Sequence, residues 1–228
     1  MTIVAATRDS RGNVYMASDT LLTDGDMRAG HAQKFVWGNN GRIMGMAGYM
    51  RTQNILSTFA PLIFEQLNQT IKESKDTDTE VFFMADIIAQ YLNDNGYTPG
   101  SVNPTTPDAG PKGMDLEAIY ITNGRIYDID KSLSYVEHPE FYAIGCAKDI
   151  AVGAFLAAKH VHPLYGLIKA AQAAIEMNTA CGGTIDLNII TPSKLEGDEC
   201  DAFVEQLFAD AGLQDVQEEL EIYVRSFT

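Results

Sequence analysis

Basic residues are scarce in this chain: 16 Lys and Arg stand against 31 Asp and Glu in 228 residues, a formal net charge of −15. Nucleic-acid binders take most of their affinity from clustered Lys and Arg, so this balance argues against nucleic acid as a partner. Cysteine is rarer still. Three of them, an odd number without a CxxC spacing, make neither a disulfide framework nor a zinc site, and they suit a reducing compartment. No apolar run approaches the ~20 residues that cross a bilayer. The N-terminus also lacks the basic and apolar regions of a secretory signal, which predicts a cytoplasmic protein without a membrane partner. Gly182-Gly183 is not followed by the Lys-Ser or Lys-Thr of a phosphate loop, and His160-Val161-His162 has no acidic or Cys residue at ligand spacing. Neither metal nor cofactor is expected.

What the chain does have is an ordinary globular composition, 46% hydrophobic and 21% charged, enough for one substantial core. A single domain over residues 1–228 is the expectation. Small and β-branched residues from Thr2 to Thr7, the turn formers Asp9-Ser10-Arg11-Gly12-Asn13, and Val14 to Ser18 read as an antiparallel hairpin that returns Asp19 toward Thr2. A polar loop then runs to Gly30. Gln33 to Trp37, the turn Gly38-Asn39-Asn40-Gly41, and Ile43 to Gly48 read as a second hairpin. The spacing of Ile55, Leu56, Phe59, Leu62, Ile63 and Leu67 predicts a helix from Tyr49 to about Lys72. Val81, Met84, Ala85, Ile88, Tyr91 and Leu92 predict another that ends near Asn95-Gly96.

Residues 97–113, mostly Pro, Gly, Thr and Ser, read as an exposed loop. Strands follow at Leu116 to Thr122 and Arg125 to Ile129 around Asn123-Gly124, and again from Phe141. An Ala-rich helix from about Leu164 to Met177 leads to a strand from Thr184 to Thr191. An acidic C-terminal extension begins at about residue 193. Within it Cys200 to Leu220 reads as an amphipathic surface helix beyond the core, and Glu221 to Phe227 as an added strand or a docking segment.

The N-terminus carries the chemistry. Removal of Met1 would leave Thr2 with a free α-amine, and a Thr hydroxyl becomes a useful nucleophile only with a base beside it. An α-amine with a pKa of about 8 is such a base, held on the same residue. Lys34 stands in a strand otherwise made of apolar residues. It either packs its stem while its head reaches water, or it lies buried and supplies positive charge to a neighbouring nucleophile. Asp19 would keep such a lysine charged and oriented. Gly48 either ends a strand before a helix or points its N–H into the site as an oxyanion donor.

Thr2, Ala17-Ser18-Asp19, Gln33-Lys34-Phe35 and Gly45-Met46-Ala47-Gly48-Tyr49, taken in that order and spacing, resemble the N-terminal half of the proteasome β-subunit and HslV-type peptidases. These are N-terminal-nucleophile (Ntn) hydrolases. The resemblance continues at Gly145-Cys146-Ala147 and at Asn178-Thr179-Ala180-Cys181-Gly182-Gly183. It implies an α+β fold, a four-layer αββα sandwich with two antiparallel sheets between helical layers. It implies Thr2, Asp19, Lys34 and Gly48 as the catalytic group, with Cys146, Asn178 and Cys181 around the N-terminal amine. Leu22, Ala32, Met46 and Met50 would line the pocket for the substrate side chain before the cleaved bond, which predicts a preference for apolar side chains.

The pattern also departs from the family. Cys146 and Cys181 stand where the family has Ser, and Asn178 where it has Asp. Thiols are weaker hydrogen-bonding groups than hydroxyls, and an amide cannot carry a carboxylate's charge, so a less firmly held amine is expected. The two Cys are otherwise small buried apolar residues. Ile3 directly follows Thr2, where most relatives place a Thr or Ser first; matching Ile to Ile would put Met1 at the catalytic position, whereas matching Arg8 to the basic residue at the strand end puts Thr2 there. Relatives form rings or stacked rings, often fed by an unfolding ATPase. The expected function is therefore a threonine endopeptidase acting on protein or peptide inside a homo-oligomer. A catalytically inactive shell or scaffold subunit and a small-molecule Ntn amidase are the alternatives.

Overall fold

The computed structural model describes residues 2–24, 27–71, 76–96 and 116–227. Ile3–Arg8 (β1) and Val14–Asp19 (β2) form the antiparallel hairpin around Asp9, whose Oδ1 accepts from the N–H groups of Arg11 and Asn13 at 2.8 and 2.9 Å. Among the described residues, Leu21–Asp24 (β3) and Met27–His31 (β4) pair only with each other. Phe35–Trp37 (β5) and Ile43–Gly48 (β6) make the second hairpin, followed by helices Met50–Thr70 (α1) and Thr77–Asp94 (α2). Leu116–Thr122 (β7), Arg125–Ile129 (β8) and Tyr135–His138 (β9) continue antiparallel from β6. Then come Phe141–Gly145 (β10), helices Lys148–Ala158 (α3) and Pro163–Met177 (α4), Ile185–Thr191 (β11), helix Asp198–Ala211 (α5) and Leu220–Ser226 (β12). Met1 and the expected loop at 97–113 lie outside the described residues.

The strands build two five-stranded sheets, ordered β10-β1-β2-β11-β12 and β5-β6-β7-β8-β9. Their period of two sorts the side chains into layers. Ile3 and Ala5 of β1 face α3, α4 and α5, where they meet Phe155, Leu167, Ala171 and Phe208. Val4 and Ala6 face the second sheet and pack with Met16, Phe35, Ile119, Ile121 and Ile144. On the far side of that sheet, Met44, Met46 and Tyr120 lie beneath Leu56, Ile63 and Leu67 of α1 and Val81, Met84 and Ile88 of α2. The result is helix, sheet, sheet, helix. At Gly45 the sheets approach so closely that a Cβ would stand 2.6 Å from Val4 Cγ1 and 2.8 Å from Met16 Sδ.

Polar residues fix the helix ends. Asp76 caps α2 by accepting from Thr79 N at 3.0 Å. His162, one of the paired histidines, caps α4 by accepting from Leu164 N at 3.1 Å, ahead of Pro163 at the first helical position. A buried bridge from Arg42 Nε to Glu80 Oε1 at 2.9 Å, joined by Tyr120 O–H to the same oxygen at 2.6 Å, ties α2 to the second sheet.

Several elements differ from expectation. The loop running to Gly30 contains the β3–β4 pair, whose register shift between Leu22 and Thr23 breaks the regular alternation that marks longer strands. β9 pairs outside β8 with its residues only partly buried, so it lacks a strong apolar signal. The C-terminal segment is not beyond the core. Gly212, left-handed at φ +68°, stops the acidic helix at Ala211, and Val204, Leu207, Phe208 and Ala211 join the core against α4. β12 then pairs with β11 in parallel, from Ile185 opposite Leu220 to Thr191 opposite Ser226. The first sheet is therefore mixed rather than wholly antiparallel.

Candidate active site

The β1–β2 register sets Val4 opposite Ser18, which brings Asp19 to the start of β1. There Asp19 Oδ1 accepts from Thr2 Oγ1 at 2.7 Å, from Ile3 N at 2.9 Å and from Lys34 Nζ at 2.5 Å. Its Oδ2 accepts from Gly182 N at 3.0 Å. Thr2, Asp19 and Lys34 are 2%, 0% and 1% exposed, so solvent does not screen the ion pair. Lys34 immediately precedes β5, and its carbonyl accepts from Met46 N at 2.9 Å, which fixes its backbone against β6. Burial pushes its ammonium down from the ordinary value, with the Asp19 carboxylate opposing that shift. The lysine is thus a buried, paired charge beside a hydroxyl rather than a snorkelling surface residue.

A second group of residues holds the Thr2 backbone. Cys146 N donates to Thr2 O at 3.0 Å, and Cys146 Sγ lies 3.6 Å from the same oxygen. Gly145 precedes it at φ +98°, where a Cβ would stand 2.1 Å from Thr2 O, so only glycine allows this approach. Cys181 Sγ is 4.0 Å from Cys146 Sγ. Asn178 links the two segments: its Nδ2 donates to Cys146 O at 3.5 Å, its Oδ1 accepts from Ala180 N at 3.0 Å, and its carbonyl accepts from Cys181 N at 3.0 Å. Cys146 is pushed down to about 6, first by the hydrogen bond from Cys181, while that bond and burial push Cys181 up.

The remaining expected residues sit less directly on this cluster. Gly48 ends β6 opposite Leu116, two residues beyond the contact with Lys34, and its carbonyl accepts from Gln53 Nε2 at 3.1 Å. Leu22 and Ala32 are half-buried, and Ala32 N donates to Thr20 O at 2.9 Å. Met46 is fully buried beneath α1 and α2, while Met50 opens α1 with its side chain partly in solvent.

Two contributors escaped sequence reasoning. Glu117 Oε2 crosses from β7 to accept from Gly145 N at 3.2 Å, which places a carboxylate one residue from the Cys146 contact. It shares the inter-sheet parity of Ile119 and Ile121, and an acid at such a position in the apolar run Leu116-Glu117-Ala118-Ile119 was the available signal. Thr20 Oγ1 meets His31 Nδ1 at 3.1 Å and accepts from Thr184 N at 3.0 Å, which joins β4 to the loop before β11. That contact depends on β4, which was not expected.

The arrangement can present a hydroxyl, a buried cation and a carboxylate at the start of one strand, with glycine-rich backbone around them. No family model and no curated protein matches the chain in sequence. Solved structures do match. The Thiobacillus denitrificans bacterial proteasome homologue, BPH, matches at 17% identity and a TM-score of 0.65, covering 85% of this chain and 100% of that one, both alone and in complex with epoxomicin. The chain has the proteasome-type fold. Eukaryotic HslV from Trypanosoma brucei matches at 16% identity and a TM-score of 0.61, covering 82% of this chain and 98% of that one. In this proteasome-type frame the Thr2, Asp19 and Lys34 cluster lies at one end of the first sheet, between the β1 start and the β5–β6 hairpin.

Proposed function

We propose that the protein is a threonine-type endopeptidase whose nucleophile is Thr2, freed by removal of Met1. The observation that carries this reading is the convergence of the Thr2 hydroxyl and the Lys34 ammonium on one buried oxygen of Asp19, at 2.7 and 2.5 Å. In the proposed reaction Thr2 Oγ1 bonds to the peptide carbonyl carbon and its proton passes to the Thr2 amine. That amine then protonates the leaving nitrogen as the C–N bond breaks. Water, deprotonated by the same amine, cleaves the ester and restores the hydroxyl. Lys34 lowers the cost of negative charge on Oγ1, Asp19 orients Lys34, and Gly48 N–H is the proposed oxyanion donor. In the resting arrangement the hydroxyl donates to Asp19, so attack requires its proton to transfer from that contact to the amine.

Leu22, Ala32, Met46 and Met50 are the proposed pocket, favouring apolar side chains before the cleaved bond. The working form is proposed to be a homo-oligomeric ring or stacked rings in the cytoplasm, with an unfolding ATPase as the partner that would deliver folded protein. The test is hydrolysis of Leu- or Phe-terminated peptide reporters by native protein and by Thr2→Ala. Loss of turnover in the variant with unchanged thermal stability is expected. Equal turnover by both would overturn the assignment of Thr2.

A second reading has its own support. Cys146, Asn178 and Cys181 replace the stronger hydrogen-bonding groups that the family places around the amine, which favours a shell or scaffold subunit with no activity. Assembly without turnover, and without labelling of Thr2 by an electrophilic threonine-directed probe, would select it. A small-molecule amidase would hydrolyse amides but leave peptides of several residues intact.

A further inference from the structure

Two of the chain's three cysteines, 35 residues apart in sequence, converge to 4.0 Å beside Thr2. They differ in access. Cys146, in the turn between β10 and α3, is exposed, whereas Cys181 is 2% exposed and packed in the core between the first sheet and its helices. Neither thiol has a place in the proposed reaction that needs sulfur. A disulfide requires an S–S separation of about 2.05 Å, so the two sulfurs must approach by ~2 Å from the 4.0 Å at which they stand. Asn178 holds the two backbone segments together through Cys146 O and Cys181 N, so the approach needs no separation of elements.

We propose that Cys146 and Cys181 are a peroxide-modified thiol pair, in which a hydroperoxide converts the two thiols to a disulfide that disturbs the seat of Thr2. The Cys146 sulfur attacks an oxygen of the hydroperoxide. An S–O bond forms, the O–O bond breaks, and the remaining oxygen leaves as alcohol or water after taking a proton. Cys146 is then a sulfenic acid. The Cys181 sulfur attacks it, the S–S bond forms, the S–O bond breaks, and water leaves. Two thiols lose two electrons and two protons, and the hydroperoxide is reduced by two electrons. The burial of Cys181 keeps bulky disulfides away and leaves resolution by its neighbour as the open route. Cys146 is pushed down to about 6, which places thiolate at the accessible sulfur and agrees with this division of roles.

The consequence for Thr2 follows from contacts already described. Cys146 N and Sγ both lie on Thr2 O, so drawing Cys146 toward Cys181 pulls on the backbone that positions the hydroxyl. This second part rests on the peptidase reading; the thiol chemistry does not.

The experiment exposes folded Cys200→Ser protein to hydrogen peroxide and reads intact mass, a non-reducing peptide map and the rate of Thr2 labelling. Cys200 lies in the first turn of α5, and its substitution removes the remaining thiol. The expected result is loss of two hydrogens, a single cross-linked peptide pair holding Cys146 and Cys181, and recovery with dithiothreitol. Labelling of Thr2 should slow by about ten- to a hundredfold in the oxidised form, the scale of an ångström-level misplacement, and recover on reduction. Cys146→Ser and Cys181→Ser, each in the same background, should form no intramolecular cross-link. Two thiols still open to alkylation after peroxide, or Cys146 driven to sulfinic acid while Cys181 stays reduced, would overturn the pair. A disulfide that leaves the labelling rate unchanged would overturn the coupling to Thr2. A disulfide in protein whose Thr2 never labels, even when reduced, would support the thiol pair and overturn the peptidase reading instead.

Discussion

Asp19 receives four hydrogen bonds while fully buried, and one of its donors is the only cation among them. Removing one partner of a buried ion pair leaves an uncompensated charge, which costs far more than a surface pair of the same length. Lys34→Met keeps most of the side-chain volume and removes the charge. It should destabilise the fold by about 3–5 kcal/mol in denaturant titration and abolish peptide turnover. A wild-type midpoint in this variant would mean that the pair is not buried as described. Gly145 gives a second case at this scale. Gly145→Ala combines a positive φ with a contact of 2.1 Å on a backbone oxygen, which cannot rotate away. We expect a clear drop in melting temperature and loss of Thr2 reactivity together. An alanine variant with normal labelling would contradict the placement of Thr2 O.

At the scale of elements, β2 and β11 carry an unusual row of buried polar groups between the sheets. Among the described residues, Ser18 Oγ, Asp186 Oδ1 and both polar atoms of Asn188 have no hydrogen-bond partner, and Asp186 stands opposite Ser18 in the ladder. Burial pushes the Asp186 carboxyl up to about 6, Glu221 and Asp19 add to the shift, and Lys34 opposes it. A raised carboxyl pKa means that the folded state holds the proton more tightly than the unfolded chain. Its ionisation therefore removes stability as pH rises from near 4 through about 6. Asp186→Asn takes away that penalty. The variant should exceed the parent in stability at pH 7 by on the order of 1 kcal/mol, with a smaller gap at pH 5, as read from denaturant midpoints at both values. A gap that grows toward acid would reverse the sign and refute the shift.

The elements also explain what could be read from residues alone. Hairpins with strong turn chemistry, such as the one around Asn123-Gly124, and helices with a regular apolar face, such as α1 and α2, declare themselves locally. β3, β4 and β9 do not. β3 and β4 are short and shift in register, β9 is only partly buried, and β12, read as a strand or a docking segment, finds its partner β11 only across a complete helix. The site was legible at Thr2, Asp19 and Lys34 because their order along two hairpins is a local property. Glu117 was not, since its role depends on the opposite sheet standing over Gly145.

At the scale of the whole molecule, the two helical layers leave large apolar side chains in water. Leu62 on α1, Phe82 on α2, and Val152 and Leu156 on α3 are 49%, 55%, 38% and 58% exposed. Such residues on both outer faces, in a chain of charge −15 that would otherwise repel its copies, agree with the proposed assembly. Light scattering should return a native mass that is a multiple of the 24.9 kDa protomer. A monomer across the micromolar range would contradict the ring.

The central claim is that Thr2 is the N-terminal residue of the working protein and reacts through its hydroxyl. Its most direct measurement is the mass of the N-terminal peptide from native protein, before and after an electrophilic threonine-directed probe. Epoxomicin, held in one of the similar structures, is the first compound to use. The predicted result is a peptide that begins at Thr2 and gains one probe adduct there, with no adduct in Thr2→Ala. A peptide that retains Met1 after expression with an active aminopeptidase, or a free Thr2 that takes no adduct, would contradict the claim and leave the shell subunit as the reading.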